Sequence, residues 1–294
     1  MRRALLLAAL LLAAPAWAQE IDLSSGGPVE VTARGGFEWR EREQMVIATG
    51  DARAVRGGVT VIADRLVARY RKKADGAATP APGGSTTGGT EVYRLEAEGN
   101  VRIFTATDEA VGDRGVYDID QAVMVLTGGA LKLTTPTQQI TARDSLEYWS
   151  QKRMAVGRGN AVVLTSDARR VAADVLVAYT AEDSAPKPAQ AANQAGQPGS
   201  GKLQRLEAYG NVEVRTATDT VRGGRALYLP ETEIARVLDQ VRITRGEYQM
   251  NGAAADVNMK TGVARLIANP GSRVQGLIVP GDKSVAPEPA PRRP

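Results

Sequence analysis

No cysteine and no histidine occur anywhere in the 294 residues, and only 2 Phe, 3 Trp and 8 Tyr are present. The missing thiols exclude disulfides, a cysteine nucleophile and thiolate metal centres. Without histidine there is no Ser-His-Asp triad and no imidazole-based zinc site. Carboxylates, Lys, Tyr, Ser and Thr remain, so the chemistry open to the chain is narrowed to theirs. A long transmembrane run is absent too. The one apolar stretch, 4–14, is too short to span a bilayer core of about 30 Å as a helix.

That stretch follows Arg2 and Arg3 and is followed by "APAWAQE", which together read as a secretory signal with cleavage after Ala18. The formal charge of +4 then falls to +2. Arg residues are interspersed with Asp and Glu, and no clustered basic footprint of a nucleic-acid binder is visible. Residues 19–28 read as a flexible lead, and the Pro-rich 280–294 as a disordered tail.

What is abundant is repetition. "RLEAEGNVRIFTATD" begins at Arg94 and "RLEAYGNVEVRTATD" at Arg205; through the following tyrosines the copies agree at 14 of 24 positions. A shorter phrase, glycine and then alternating apolar residues, starts at Gly50, Gly99, Gly128, Gly159 and Gly210. Between these lie "IADRLVARY", "VGDRGVYD", "TARDSLEYW" and "VAADVLVAY", whose acids are Asp64, Asp113, Asp144 and Asp174; Asp256 in "AAADVNM" marks a weaker last copy. The glycine intervals are 49, 29, 31 and 51. Both long intervals hold segments rich in Pro, Gly, Ala, Ser, Thr or Gln, 71–91 and 182–202, which read as flexible insertions. Without them a repeat of about 30 residues runs through 29–279.

Inside each repeat Val, Ile and Leu alternate with polar residues, the period of a half-buried strand. Glycine and asparagine at the turns tolerate positive φ. The expectation is an all-β protein, either one elongated stack or two modules divided near 150–158. A closed barrel, a parallel β-helix and an open antiparallel roll all remain compatible with short strands and glycine turns. Units of about 15 residues, one strand and its turn, match the open roll best.

The alternation of a "GNV" strand with an "ADxLxY" strand behind a secretory signal resembles the OstA-like family. The resemblance implies an elongated open antiparallel β-jelly roll with an apolar trough between two sheets. It further implies a non-enzymatic periplasmic carrier, or bridge, that moves lipopolysaccharide from the inner to the outer membrane. Acyl chains crossing water cost about 0.8 kcal/mol per CH₂, which a continuous trough would offset. Expected walls are Val101, Ile103, Leu131, Leu133, Val163, Val212 and Val214 on the "GNV"-type strands. Ile62, Leu66, Val111, Ile140, Leu146 and Leu176 are expected on the "AD"-type strands. The same residues also suit a closed core in a structural or adhesive exported β-repeat protein without lipid cargo. The repeated Asp residues suit capped turns better than a glycosidase pair, and neither metal nor cofactor is expected. Implied partners are lipopolysaccharide, an inner-membrane transport complex and an outer-membrane translocon. These would join by strand pairing at open edges in 29–40 and in 262–269 or 272–279, where a second copy could also add head-to-tail.

Overall fold

The computed structural model describes residues 29–56, 58–72, 90–181, 203–268, 271 and 273–277. The expected signal, lead and tail, the insertion 182–202 and most of 71–91 lie outside the described residues. Among the described residues eighteen strands form one sheet in which every pairing is antiparallel. The first third comprises β1 (Glu30–Thr32), β2 (Gly36–Arg40), β3 (Met45–Arg56), β4 (Val59–Lys72), β5 (Thr90–Phe104) and β6 (Glu109–Asp118). In the middle are β7 (Val123–Thr127), β8 (Leu131–Thr134), β9 (Gln138–Ala142), β10 (Ser145–Trp149), β11 (Met154–Thr165) and β12 (Arg170–Thr180). The last third holds β13 (Leu203–Arg215), β14 (Asp219–Leu229), β15 (Ile234–Arg245), β16 (Tyr248–Asn258), β17 (Ala264–Ile267) and β18 (Gln275–Leu277).

Each long strand has a register break in its middle, and β4–β5 and β12–β13 carry a second irregularity, at Arg69/Tyr70 and Tyr179/Thr180. The register of β3 against β4 jumps between Thr49 and Ala52, and that of β5 against β6 between Glu98 and Val101. The same break recurs through β11, β13 and β15. β7 with β8, and β9 with β10, are ribbons whose bend has opened into a gap. One half of every ribbon therefore pairs in a first wall and the other half in a second. Wall A is edged by β2 and β17; wall B is edged by β1 and β18.

The bend is a glycine followed by a second left-handed residue: Gly99 has φ 77° and Asn100 φ 47°, with near-identical values at Gly159–Asn160 and Gly210–Asn211. A β-bulge of this kind turns the strand and leaves backbone groups unpaired. The recurring acids lie against it. Asn100 Nδ2 donates to Asp64 at 2.9 Å, Asn211 Nδ2 donates to Asp174 at 2.9 Å, and the Gly129 N–H donates to Asp113 at 2.7 Å. A Cβ on Gly99 would lie 2.1 Å from Asp64 Oδ2, so the carboxylate occupies the space that glycine leaves open. Asp64, Asp113, Asp144 and Asp174 are thus corner residues.

Asp256 is not their equivalent. The break in β16 falls between Gly252 and Ala254, and Asp256 pairs across the ladder with Arg236 at 2.6 Å. At that level the corner is built in reverse: Asp239 and Gln240 take the left-handed conformation, and Gly224 on β14 makes room for Asp239. The β4–β5 pairing reaches Arg71↔Glu91 and Lys72↔Thr90, so both ends of segment 71–91 are part of the ladder.

Candidate functional site

Side chains alternate across a strand, so register tells which residues share a face. In wall A one row runs Phe37, Ala48, Leu66, Ala97, Gly115, Leu126, then Leu146, Gly157, Leu176, Ala208, Ala226, Val237, Ala255, Leu266. In wall B the matching row runs Val31, Ala54, Val61, Ile103, Ala110, Leu133, then Ile140, Val163, Val171, Val214, Val221, Ile243, Met250, Gly276. Neither row contains a polar or charged side chain. Placing even one charge there would carry the desolvation cost of an unpaired buried ion.

Of the thirteen expected wall residues, Leu66, Leu146 and Leu176 lie in the wall A row, and Ile103, Leu133, Ile140, Val163 and Val214 in the wall B row. Val101, Leu131 and Val212 sit beside the corner and belong to the same apolar clusters. Ile62 and Val111 do not join them. Both lie in the outward row of wall B, in register with Arg53, Arg102 and Lys132. The "AD" phrase placed them one residue off, because the bulge at the corner shifts the alternation of β4 and leaves the side on which Val61 and Ala110 point facing inward.

The interior is packed beside the corner: Val101 and Val212 keep 1% of their exposure and Leu131 2%. Leu66, Leu133, Ile140 and Leu146 are half-buried. One cluster is built mostly from β4 to β8 and another from β9 to β16; Leu146 packs against both, so the apolar interior is continuous along the ladder. At the N-terminal end it opens. Phe37 and Trp39 point to the inner side of β2 and are 58% and 57% exposed, with Trp39 Nε1 donating to the Tyr70 hydroxyl at 2.8 Å. These two aromatics were missed as wall residues, although the alternation in "GFEWR" carries the signal.

The outer faces are laced with ion pairs. Glu96 is 6% exposed; burial pushes its carboxyl up, but the bond from Arg69 at 2.9 Å, with Arg94 and Arg114 nearby, holds it below its ordinary value. Glu147 is treated likewise by burial against Arg158 at 2.7 Å. Among the described residues no cluster of acids suits a metal ion. Among the described residues the edges are single-sided: β1 and β2 pair only with β3, and β17 and β18 only with β16.

Residues 30–144 match the family model described as LptA/(LptD N-terminal domain) LPS transport protein, and residues 176–274 match that described as lipopolysaccharide-assembly, LptC-related. Both matches are to families of lipopolysaccharide-transport proteins, and they support the OstA-like, LptA-like resemblance. The two matches fall on the two halves of the duplication, each carrying one copy of the Arg94 or Arg205 phrase. An uncharacterized protein of Rhizobium meliloti (strain 1021) is 27% identical over 128 residues, 43% of this chain and 63% of that protein. The chain thus matches less than two thirds of that relative's length. The crystal structure of LptH, the LptA-homologous periplasmic component of the lipopolysaccharide transport device of Pseudomonas aeruginosa, aligns with a TM-score of 0.38 at 15% identity. That alignment covers 49% of this chain and 95% of that one.

Proposed function

We propose that this OstA-like chain is a non-enzymatic periplasmic carrier that holds the acyl chains of lipopolysaccharide between walls A and B and passes them from the inner to the outer membrane. The observation that supports this reading is the pair of uninterrupted apolar rows, one from each wall, running the length of the ladder. The two family matches support lipopolysaccharide as the cargo class. In this reading the walls spread away from the corner, where Asp–Gly contacts fix the bend, and acyl methylenes replace side-chain contacts. The exchange of one apolar contact for another changes little free energy, whereas release into water costs about 0.8 kcal/mol for each methylene. The single-sided edges β1–β2 and β17–β18 would take an added strand from jelly-roll partners of the inner-membrane complex and outer-membrane translocon, or from a second copy.

Photoreactive residues placed at Ile103 and Val214 are expected to crosslink to lipopolysaccharide, and those at Arg102 and Glu213 are not. Equal crosslinking from both sets would refute the assignment of the faces. A second reading, a structural exported β-repeat protein, draws on the tight packing at Val101 and Val212. Depletion that left lipopolysaccharide export unchanged would favour it.

A further inference from the structure

On the outer face of wall B, three arginines gather around one carboxylate and a fourth stands one strand further on. Glu213 on β13 receives Arg170 at 2.9 Å, Arg215 at 3.0 Å and Arg222 at 2.9 Å. The Arg222 bond above all holds the Glu213 carboxyl below its ordinary value, so it is charged at neutral pH. One negative charge set against three guanidiniums leaves two positive charges over. The fourth, Arg242, stands directly opposite Arg222 in register, is exposed, and has no carboxylate partner among the described residues. The row continues across the ladder to Asn251 and Gln275. Arg222, Arg242, Asn251 and Gln275, together with Gln240, line a shallow cleft of about 510 Å³, and the Glu213 cluster adjoins it through Arg222.

The donor set is specific. Guanidiniums present paired N–H groups that match phosphate oxygens, and exposed amides both donate to and accept from hydroxyls. The lining carries no aromatic ring on which a base could stack. The other copy of the duplication does not reproduce the site: Arg102 stands at the position of Glu213, and Val111 at that of Arg222. The cleft is also beside the C-terminal edge. Gln275 faces the cleft, and the next residue, Gly276, lies in the inner row beside Met250. A head folded over β18 would thus have its tails at the end of the apolar interior.

We propose that this cleft binds a phosphorylated saccharide, presented as the head of a glycolipid whose chains lie between the walls; the lipid part of the proposal rests on the carrier reading above. Titration calorimetry of the full chain with glucosamine 1-phosphate tests it, with glucosamine and inorganic phosphate as controls. A parallel arm uses detergent-dispersed lipid A and its dephosphorylated form. Arg242→Ala should weaken the sugar phosphate about tenfold, Arg242→Lys less, and Arg242→Ala should abolish the preference for phosphorylated lipid A. Because Arg242 is exposed and has no carboxylate partner among the described residues, the melting curve of Arg242→Ala should match the parent's. Binding of glucosamine as tight as that of its phosphate, or indifference to Arg242, would overturn the site. Inorganic phosphate binding as tightly as the sugar phosphate would overturn the saccharide assignment. Lipid crosslinks at Val214 alongside Arg242-independent sugar binding would sink this inference alone. Arg242-dependent sugar binding with no lipid crosslink would keep the site and remove the carrier.

Discussion

Asp108 and Asp219 occupy the same position in the two copies of the duplicated phrase, yet replacing each by asparagine should move stability in opposite directions. Both are nearly buried, at 6% and 7% exposure, and the backbone N–H of each donates to a threonine hydroxyl three residues earlier at 3.0 Å. Asp219 also receives Arg245 through Nε at 2.5 Å and Nη2 at 2.7 Å. That bond holds its carboxyl below the ordinary value. Asp108 has no ion pair among the described residues, Thr134 and Thr135 standing where the second copy has arginine, and burial pushes its carboxyl up. The guanidinium of Arg245 is half-exposed, so the bridge is discounted for screening to about 1–2 kcal/mol. For a chain of this size, Asp219→Asn should lower the melting temperature by about 2–8 °C at pH 7. A carboxyl with a depressed folded pKa stabilises above its unfolded value near 3.9, and that contribution is lost as pH falls through the depressed value. The gap between parent and Asp219→Asn should therefore close below about pH 4. Asp108 has the reverse sign: its penalty is absent below about pH 4 and grows as pH rises through the raised value. Asp108→Asn should match or exceed the parent at pH 7 and lose that advantage in acid. Urea unfolding followed by circular dichroism at pH 3, 5 and 7 measures both. If Asp219→Asn were neutral at pH 7, or if both variants shifted the midpoint the same way, the electrostatic reasoning would be wrong.

The corner and the two faces give further tests. Gly99→Ala needs a Cβ 2.1 Å from Asp64 Oδ2 at φ 77° and should cost about 1–3 kcal/mol in urea unfolding, while Gly115→Ala, whose Cβ would meet Val101 at 3.5 Å, should be mild. Ile103→Lys buries a charge in the wall B row and should destabilise by about 3 kcal/mol or more, whereas Val111→Lys faces outward beside Lys132 and should change the unfolding midpoint little.

Much of this architecture is readable from the residues, and its exceptions have local causes. Alternation of Val, Ile and Leu with charges gave the strands, although wall A also buries a small outward patch of Met45, Ile47 and Val67. The glycine phrases located most of the bends, because two successive left-handed residues favour Gly and Asn. Asp239–Gln240 escaped that reading: it carries no glycine, and its room is supplied by Gly224 on the neighbouring strand. Its distance of 29 residues from Gly210 nonetheless fits the repeat. The inward side of β4 and β6 was misjudged at Ile62 and Val111 because a bulge slips the alternation by one, a change that composition does not record. The cationic cleft and the cluster beside it were invisible for a different reason: Arg222 and Arg242, and next to them Arg170 and Glu213, come together only through register.

Because every ribbon pairs with the ribbons that precede and follow it in the chain, no segment has to return to an earlier one. A polypeptide emerging N-terminus first from a ribosome or a translocation channel can therefore zip up as it appears, each newly released length finding its template already in place. Sequence-distant searching, the slow step for most all-β folds, is largely avoided. The same connectivity predicts that loosening begins at either tip and spreads inward like fraying cloth.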